Sequence, residues 1–440
     1  MSLPEMPKVE IKEVAMPTQK IQVKESDDKN DIFSKAIKKM LRKNGMDIWS
    51  YSRLSTWKQC KYEYFLNYIK YAGVYPRIAR DNVYGVLGGI VHSCLESYFK
   101  GECKKEDMLS RFELIYNDTK IPKQGQTSIL QFPSENVEKN YIECLRLFFR
   151  DYELPKAPIT RNEDFVWELF NNNTIAMQGF IDLVLGYVNE DGSKYAVIQD
   201  FKTSTKFSPS DMLEKGRQLV VYAHMYTERT GIPVTRVEWN MLKYCEMTLP
   251  TTLSSLKAMK ASELQKICNC RGKKNELVKI ALKANLYELE PKTIVYQRNE
   301  IGLKMEKIIT RYLIECDIPQ DRITKNIILL KEHQHIKYME KDILELLYKL
   351  GFKQNDYICK YPLTEEIYDD MENFIIQTVK EIESLPKIDK DETDLVLINQ
   401  HFPHTNINQD AFYCSNLCGY AKDKNGVPIC QFYQNYLKSL

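Results

Sequence analysis

The chain has 440 residues, of which 43% are hydrophobic and 28% are charged, and its formal net charge is +2. This length allows two or three domains, or one domain with insertions, and the composition is that of an ordinary soluble protein. The low net charge excludes a globally basic nucleic-acid binder, so a nucleic-acid site would have to be a local basic surface. No apolar run reaches the ~18–20 residues of a membrane span and no secretory signal opens the chain, so we expect a cytoplasmic protein without a membrane partner.

Residues 1–47 are predicted to form a charged tail that ends in a basic helix. A second helix is predicted from Ser55, and a third from about Gly89 to Phe99. The stretch 104–150 also has mainly helical spacing. The first third of the chain is therefore expected to be helical.

The pattern changes at about Asp164, where segments rich in aromatic and β-branched residues begin. We predict strands over 165–167, 175–177, Phe180–Val188, Tyr195–Phe201 and Thr235–Leu242. A helix over Gln218–Tyr226 separates the last two strands. The fold class is therefore predicted as α/β, with some α+β character, in which helices flank a central mixed β-sheet.

Three further units are predicted: a core over 48–250, a helical insertion over 251–350, and C-terminal helices over 351–440. Within the insertion, residues 253–286 faintly resemble a SAP module, a short helical unit that binds DNA. The resemblance implies that three lysines contact phosphates: Lys273, Lys274 and Lys279. The alternative is a basic helical hairpin with no role in DNA binding.

The two best-defined strands form a predicted hairpin around Asp191. Asp182 and Asp200 are equally far from Asp191 in sequence, so symmetric pairing would make them cross-strand neighbours with Cβ atoms ~5 Å apart. Side chains alternate along a strand, so Lys202 would share the face of Asp200.

Two carboxylates at that distance repel each other and need a cation, a shared proton or a ligand. Oxygen ligands with open positions suit Mg²⁺ or Mn²⁺, beside which a lysine could orient water or stabilise developing charge. The alternative is a solvated hairpin with surface ion pairs. Apolar neighbours such as Phe180, Ile181 and Ile198 favour the first interpretation, because charges within buried strands require a reason.

These residues, Gly179–Asp182 followed by Asp200-Phe-Lys202, resemble the PD-(D/E)XK nuclease superfamily and its RecB-like branch, which includes the CRISPR-associated spacer-processing nucleases. Further matches occur in the same order along the chain: the segment Tyr51–Cys60, the histidine motif Gly88–His92, the Gln218–Tyr222 motif and a cysteine-rich C-terminus.

The resemblance implies a role for each matched residue. Asp182, Asp200, His92 and the Phe201 carbonyl would bind Mg²⁺ or Mn²⁺, and Lys202 would be the catalytic lysine. The remaining matched pair, Gln218 and Tyr222, lies one helical turn apart and would contact DNA or orient the lysine. Glu168 is a candidate supporting carboxylate.

Four cysteines also match that branch: Cys60, Cys414, Cys418 and Cys430. The resemblance implies that they hold a [4Fe–4S] cluster that joins the start of the nuclease domain to its end, with Zn²⁺ as the alternative. The gap between Cys418 and Cys430 is longer than the usual spacing. Three unligated thiols are the other interpretation, and Cys268-x-Cys270 is a rival pair.

The sequence therefore predicts a metal-dependent DNA nuclease, most simply an exonuclease acting on DNA ends or single strands in recombination, repair or phage DNA metabolism. The chain has no G-x-x-x-x-G-K-[ST] motif, so a helicase or recombination partner would have to be a separate protein. Two alternatives remain: a catalytically silent iron–sulfur DNA-binding subunit, and a structural zinc protein.

Overall fold

A computed structural model describes residues 26–75, 79, 82–122, 130–153, 155, 157, 159–287, 289–405, 412–422 and 427–439. Within these residues a mixed sheet of seven strands is flanked by many helices. The predicted α/β class is therefore confirmed. No helix in the described part of the chain is long and apolar enough to cross a membrane.

The strands are β1 Ile48–Ser50, β2 Ile159–Phe170, β3 Ile175–Val188, β4 Lys194–Lys202, β5 Val234–Leu249, β6 Lys292–Gln297 and β7 Lys353–Tyr361. The α-helices are α1 Ser26–Lys43, α2 Tyr51–Gln59, α3 Lys61–Phe65, α4 Val83–Phe99, α5 Met108–Lys120, α6 Glu135–Asp151, α7 Pro209–Thr230, α8 Thr252–Ala258, α9 Ala261–Cys268, α10 Lys274–Lys283, α11 Ile301–Glu315, α12 Gln320–His333, α13 Lys341–Lys349, α14 Glu365–Glu383, α15 Leu395–His401 and α16 Gln431–Ser439.

The path through the sheet is β1-β3-β4-β5-β6, with β2 beside β3 and β7 beside β5. β3 runs antiparallel to β2 and β4, whereas β4 and β5 are parallel and are joined through α7. α7 begins with a capping box at Ser208 and Asp211 and ends at Gly231, whose φ of 67° lies in the left-handed region. This crossover sets the catalytic candidates on β3 and β4 directly beside α7.

Helices cover both faces of the sheet. One face packs against α2, α7 and α14, and the other against α4, α5 and α6. Helices α8 to α13 share a separate core with β6 and with the distal part of β5. A fourth core joins α2 and α3 to the C-terminal segment.

Three strands were not predicted from the sequence: β1, β6 and β7. β6 and β7 both pair with β5 and lie on either side of the helical stretch α11–α13. β6 has only six residues, and β7 begins with four charged or amide residues, so both were missed in a stretch that otherwise has helical spacing. The division into the ranges 48–250, 251–350 and 351–440 remains a prediction.

Candidate active site

The β3–β4 hairpin has the predicted register. Leu183 pairs with Gln199 and Val188 pairs with Lys194, which is symmetric about Asp191. The turn is closed by the Asn189 N–H, which donates to the Ser193 carbonyl at 2.8 Å, and by Gly192 at a φ of 85°. Continuing the register brings the backbone of β4 at Asp200 and Phe201 beside Asp182.

Asp182 lies between β4 and α4. Its Oδ2 accepts a hydrogen bond from the Phe201 N–H at 3.1 Å and lies 3.5 Å from His92 Nδ1. The side chain is only 17% exposed. Burial and the neighbouring Asp200 carboxylate raise the pKa of Asp182 to about 7, despite the opposing effects of His92 and Lys202.

Asp200 and Lys202 form a close ion pair on one face of β4. The Lys202 Nζ lies 2.7 Å from Asp200 Oδ2 and donates to Oδ1 at 3.0 Å. Burial alone would lower the pKa of Lys202, but the carboxylates of Asp200 and Asp182 outweigh it and raise the pKa. The lysine is therefore held as an ammonium beside two acidic groups.

His92 comes from α4, on the other side of Asp182. Its Nε2 lies 3.2 Å from the Phe201 carbonyl oxygen, while Nδ1 faces Asp182. The structure thus brings together the imidazole, the Asp182 carboxylate and the Phe201 carbonyl, as the sequence resemblance implies. These positions agree with the predicted site, although their roles remain predictions.

Gln218 and Tyr222 contact each other one turn apart on α7. The Gln218 Nε2 donates to the Tyr222 hydroxyl at 2.9 Å. A Cβ at Gly179 would lie 2.3 Å from Tyr222 Cε1, so the absence of a side chain there lets the tyrosine ring pack against β3. The glycine of the G-x-x-D motif therefore has a packing role beside the carboxylate.

The donor set suits a divalent cation: two carboxylates, one imidazole and one carbonyl oxygen are ligand types that bind Mg²⁺ or Mn²⁺. Asp200 Oδ2 is also buried without a well-directed hydrogen bond. Among the described residues, no three histidine, cysteine, aspartate or glutamate side chains converge closely enough to hold a metal ion. The Lys202 ammonium supplies the counter-charge in this arrangement.

Glu168 does not join this group. It lies on β2, and its carboxylate accepts the neighbouring Leu169 N–H at 2.8 Å. Among the described residues, no hydrogen bond or ion pair joins it to the candidate catalytic residues. The supporting role of Glu168 therefore stays a prediction.

The four candidate cluster cysteines lie in one aromatic-rich core between α2–α3 and the C-terminus. Cys60 is the N-cap of α3, where its sulfur accepts the Glu63 N–H at 3.5 Å. Cys414 lies 3.9 Å from His404 Nε2. The topology thus brings the distant Cys60 to the C-terminal three, although a metal site there is not formed by the described side chains.

Two of these thiols, those of Cys418 and Cys430, are in environments that favour the neutral form. Burial, followed by the effects of Cys60 and Cys414, raises the pKa of Cys430 to about 12. Burial and nearby Glu63 also raise the pKa of Cys418 well above its ordinary value. Neutral thiols pack as small hydrophobic groups, which suits Cys418 and Cys430 to this aromatic-rich core.

The lysines proposed to contact DNA differ in their availability. Lys273 and Lys274 are exposed at the start of α10. Lys279 forms an ion pair with Asp317 at 2.5 Å, which Lys283 also contacts at 2.5 Å. Lys279 is therefore partly neutralised, whereas the first two lysines face solvent.

Lys243, on β5, is not among the site residues predicted from the sequence. Its ammonium lies 4.2 Å from the centre of the Tyr141 ring, and burial lowers its pKa to about 8. It makes no ion pair with a described carboxylate. A lone lysine in a strand gives little signal in a single sequence, and only its burial against α6 makes it unusual.

A sequence profile of the PD-(D/E)XK nuclease superfamily matches residues 48–292. This range covers more than half of the chain and contains His92, Asp182, Asp200 and Lys202. A comparison with curated proteins returns no match.

Proposed function

Because the chain belongs to the PD-(D/E)XK nuclease superfamily, we propose that it is a Mg²⁺- or Mn²⁺-dependent nuclease that hydrolyses phosphodiester bonds in DNA. The observation that carries this proposal is the buried group of Asp182, Asp200 and Lys202, with His92 at 3.5 Å from Asp182. Two carboxylates and a lysine are maintained there against the desolvation penalty of burial. A role in phosphate chemistry accounts for that arrangement.

Asp182, Asp200, His92 and the Phe201 carbonyl would hold the cation. When bound, a divalent cation polarises the phosphodiester and lowers the pKa of water. Lys202 is held as an ammonium by its two acidic neighbours, so it can orient the attacking water or stabilise charge on the phosphate. Tyr222 accepts a hydrogen bond from Gln218 and packs against β3 at Gly179, and it would position Lys202 or the DNA.

The substrate is proposed to be DNA ends or single strands, and the enzyme to be an exonuclease in recombination, repair or phage DNA metabolism. It would act in the cytoplasm together with a separate helicase or recombination protein. A local rather than global basic surface is consistent with the net charge of +2. Exposed Lys273 and Lys274 would add a peripheral phosphate contact.

The proposal includes a [4Fe–4S] cluster on Cys60, Cys414, Cys418 and Cys430, with Zn²⁺ as the alternative. Its support is that all four thiols occupy one core, although Cys60 is distant in sequence from the others. Such a cluster would fasten α2 and α3 to the C-terminal segment, and its binding energy would add to folding stability.

The test is degradation of end-labelled DNA, single-stranded and double-stranded, in Mg²⁺, in Mn²⁺ and in chelator. Wild type should cut in either cation, and Lys202→Ala should reduce the rate by about 10²–10³-fold, as for loss of a group that stabilises transition-state charge. Lys194→Ala is the matched control, since Lys194 is exposed at the other end of β4.

Equal degradation by wild type and Lys202→Ala would indicate a contaminating nuclease and contradict the proposal. Binding of DNA without cutting in either cation would support the silent DNA-binding subunit instead. Neither binding nor cutting would leave the structural zinc protein, which zinc without iron in elemental analysis would support.

A further inference from the structure

A cavity of about 260 Å³ opens at the N-terminal end of α4. Its lining combines two aromatic rings, those of Tyr84 and Phe132, with the amides of Gln131 and Asn416. Lys422 also lines it, and none of the described lining residues carries a carboxylate. The cavity therefore offers ring faces, hydrogen-bonding groups and one positive charge.

The walls of this cavity are held in place by other contacts. The Tyr84 ring packs 5.7 Å from the buried Tyr141 ring, which also lies 6.1 Å from Phe132. The Asn82 side chain accepts the Gly85 N–H at 2.9 Å and donates to the Leu417 carbonyl at 3.0 Å, joining α4 to the C-terminal wall. The cavity is thus a built feature rather than a gap between loose side chains.

Two polar groups at this cavity are the Tyr84 hydroxyl and the Gln131 side-chain amide. Neither the Tyr84 hydroxyl nor the Gln131 amide makes a hydrogen bond to any residue that the structure describes. Asn416 uses its amide nitrogen on the Phe412 carbonyl and on Ser415. A planar polar ring that packs beside Tyr84 could form hydrogen bonds at its edges with the Tyr84 hydroxyl and the Gln131 amide.

The cavity lies on the same face of α4 as the catalytic candidates. Tyr84, Gly88 and His92 are spaced four residues apart, which aligns them along one side of the helix. At 1.5 Å per residue, Tyr84 lies roughly 12 Å along the axis from His92. A strand whose phosphate is at Asp182 and Asp200 could reach the cavity by following this side of the helix.

The helix surface between these points is bare. A Cβ added at Gly88 or at Gly89 would meet no atom within 4 Å, so no contact in the described chain requires glycine there. Glycine is also a poor helix former, and these two lie within α4. Close approach of another molecule's backbone is a reason for glycine at such positions.

We infer that this cavity is a base-binding subsite for single-stranded DNA, reached by a strand that runs over the glycines of α4 from the catalytic carboxylates. The inference rests on the proposed nuclease function and specifies its substrate. Aromatic faces bind unpaired bases by stacking, independently of sequence, whereas a base within a duplex has its edges paired and cannot enter. The volume is slightly below that of sites for drug-sized molecules, which suits one nucleotide.

The test measures binding of a labelled single-stranded oligonucleotide by fluorescence anisotropy in chelator, where cleavage cannot occur. A series of oligonucleotides carries one abasic nucleotide at successive positions. Wild type should lose about 10-fold in affinity at one position, as expected for loss of one stacked base. Tyr84→Ala should bind the intact strand about 10-fold more weakly and show no further loss at that position. Tyr84→Phe keeps the ring, so it should still lose affinity at that position.

A second variant tests the path along α4. Gly88→Leu should raise the melting temperature, because leucine favours a helix and the position is open, yet weaken binding by 10-fold or more. Asn373→Leu is the matched control: Asn373 is exposed on α14, so it should leave binding unchanged. Unchanged affinity in a folded Gly88→Leu protein would overturn the path.

Other outcomes separate the subsite from the nuclease function. An abasic profile that is flat, or that is identical in wild type and Tyr84→Ala, overturns the subsite even if DNA is cut. A profile that depends on Tyr84 supports the subsite even if no DNA is cut in Mg²⁺ or Mn²⁺. Tighter binding of a blunt duplex, or of an RNA of the same sequence, would overturn the assignment to single-stranded DNA.

Discussion

The catalytic candidates and the cysteine core are both buried, but they differ in how charge is handled. At the first, Asp200 and Lys202 form an ion pair 2.7 Å apart, and burial together with the neighbouring Asp200 carboxylate raises the pKa of Asp182 to about 7. At the second, burial raises the pKa values of Cys418 and Cys430, and aromatic rings such as Trp57 and Tyr62 pack around the thiols.

This difference teaches what each region requires. Two carboxylates side by side are unfavourable without a cation, so the first region is incomplete as a purely apolar core. Neutral thiols pack as small hydrophobic groups, so the second region needs no cation to balance buried charge. Burial of charge therefore supports a cation-dependent role at Asp182 and Asp200. Metal analysis has to decide whether the cysteines bind a cluster.

The largest effect should come from removing a cysteine if a cluster is bound. Cys418→Ser should release iron and lower the free energy of unfolding by more than about 5 kcal/mol, because metal binding to structural cysteines contributes roughly 10–16 kcal/mol in small metal-binding peptides. Elemental analysis and urea unfolding of anaerobically purified protein measure both effects.

Cys94→Ser is the control for that change. Cys94 is fully buried in the core of α4, α5 and α6, outside the cysteine core. A buried hydroxyl there should cost about 1–3 kcal/mol and leave the metal content unchanged. If Cys418→Ser costs no more than Cys94→Ser, and neither iron nor zinc is found in wild type, the cysteines are ordinary core residues.

The next prediction concerns how the free energy of unfolding depends on pH when a chelator removes metal ions. The folded pKa of Asp182 is about 7, whereas an unfolded aspartate has a pKa of about 3.9. Between these values the folded chain binds more protons, so the free energy of unfolding should fall as pH rises from about 4 to about 7, by at most about 4 kcal/mol.

Urea unfolding at a series of pH values measures this slope. Asp182→Asn should flatten it, because the amide does not titrate. Saturating Mn²⁺ should also flatten the slope in wild type, since a bound cation favours the carboxylate. A slope that is the same in wild type and Asp182→Asn would show that other groups cause the pH dependence.

A smaller effect is expected from removing the Lys202 ammonium, which neutralises the neighbouring carboxylate of Asp200. Lys202→Met should lower the free energy of unfolding in chelator by about 2 kcal/mol, less than for a fully buried pair because the lysine is 28% exposed. Mg²⁺ or Mn²⁺ should restore most of this loss, and should stabilise the variant more than wild type. Thermal unfolding with and without cation measures it.

Lys194→Met provides the control, since Lys194 lies at the exposed end of the same strand. It should respond to cations as wild type does. If Lys202→Met gains no more stability from Mg²⁺ than Lys194→Met does, the carboxylates do not bind the cation and the contrast with the cysteine core is lost.

The sequence predicted the parts of this site that depend on local pattern. The hairpin follows from two segments rich in aromatic and β-branched residues and a turn around Asp191, and its register is confirmed by the pairing of Leu183 with Gln199. The predicted start of α4 at Gly89 was wrong: the helix begins at Val83, capped by Asn82. Glycines favour turns over helix in a pattern, so the helix interior was taken for its beginning.

Contacts between residues distant in the sequence could not be predicted from local patterns. β3 was predicted as two segments because Gly179 interrupts its pattern, yet it is one strand, and the glycine is explained by a tyrosine distant in sequence. β7 pairs with β5 across an intervening helical region, which no local pattern encodes. The motif residues could be recognised, but the reason for Gly179 required the fold.

The smallest expected effect tests whether packing of Tyr222 explains the glycine at position 179. In Gly179→Ala the new Cβ would lie 2.3 Å from Tyr222 Cε1, so the buried ring must shift and its hydrogen bond with Gln218 must lengthen. We expect a loss of about 1–2 kcal/mol in the free energy of unfolding, as for modest overpacking, with a several-fold lower nuclease rate. Placing the same change in a Tyr222→Leu background should abolish most of the stability loss, because the ring is gone, whereas a Tyr222→Phe background should keep it. If the loss is equal in all three backgrounds, strand propensity rather than the ring explains the glycine, and the catalytic region is held by its charges alone.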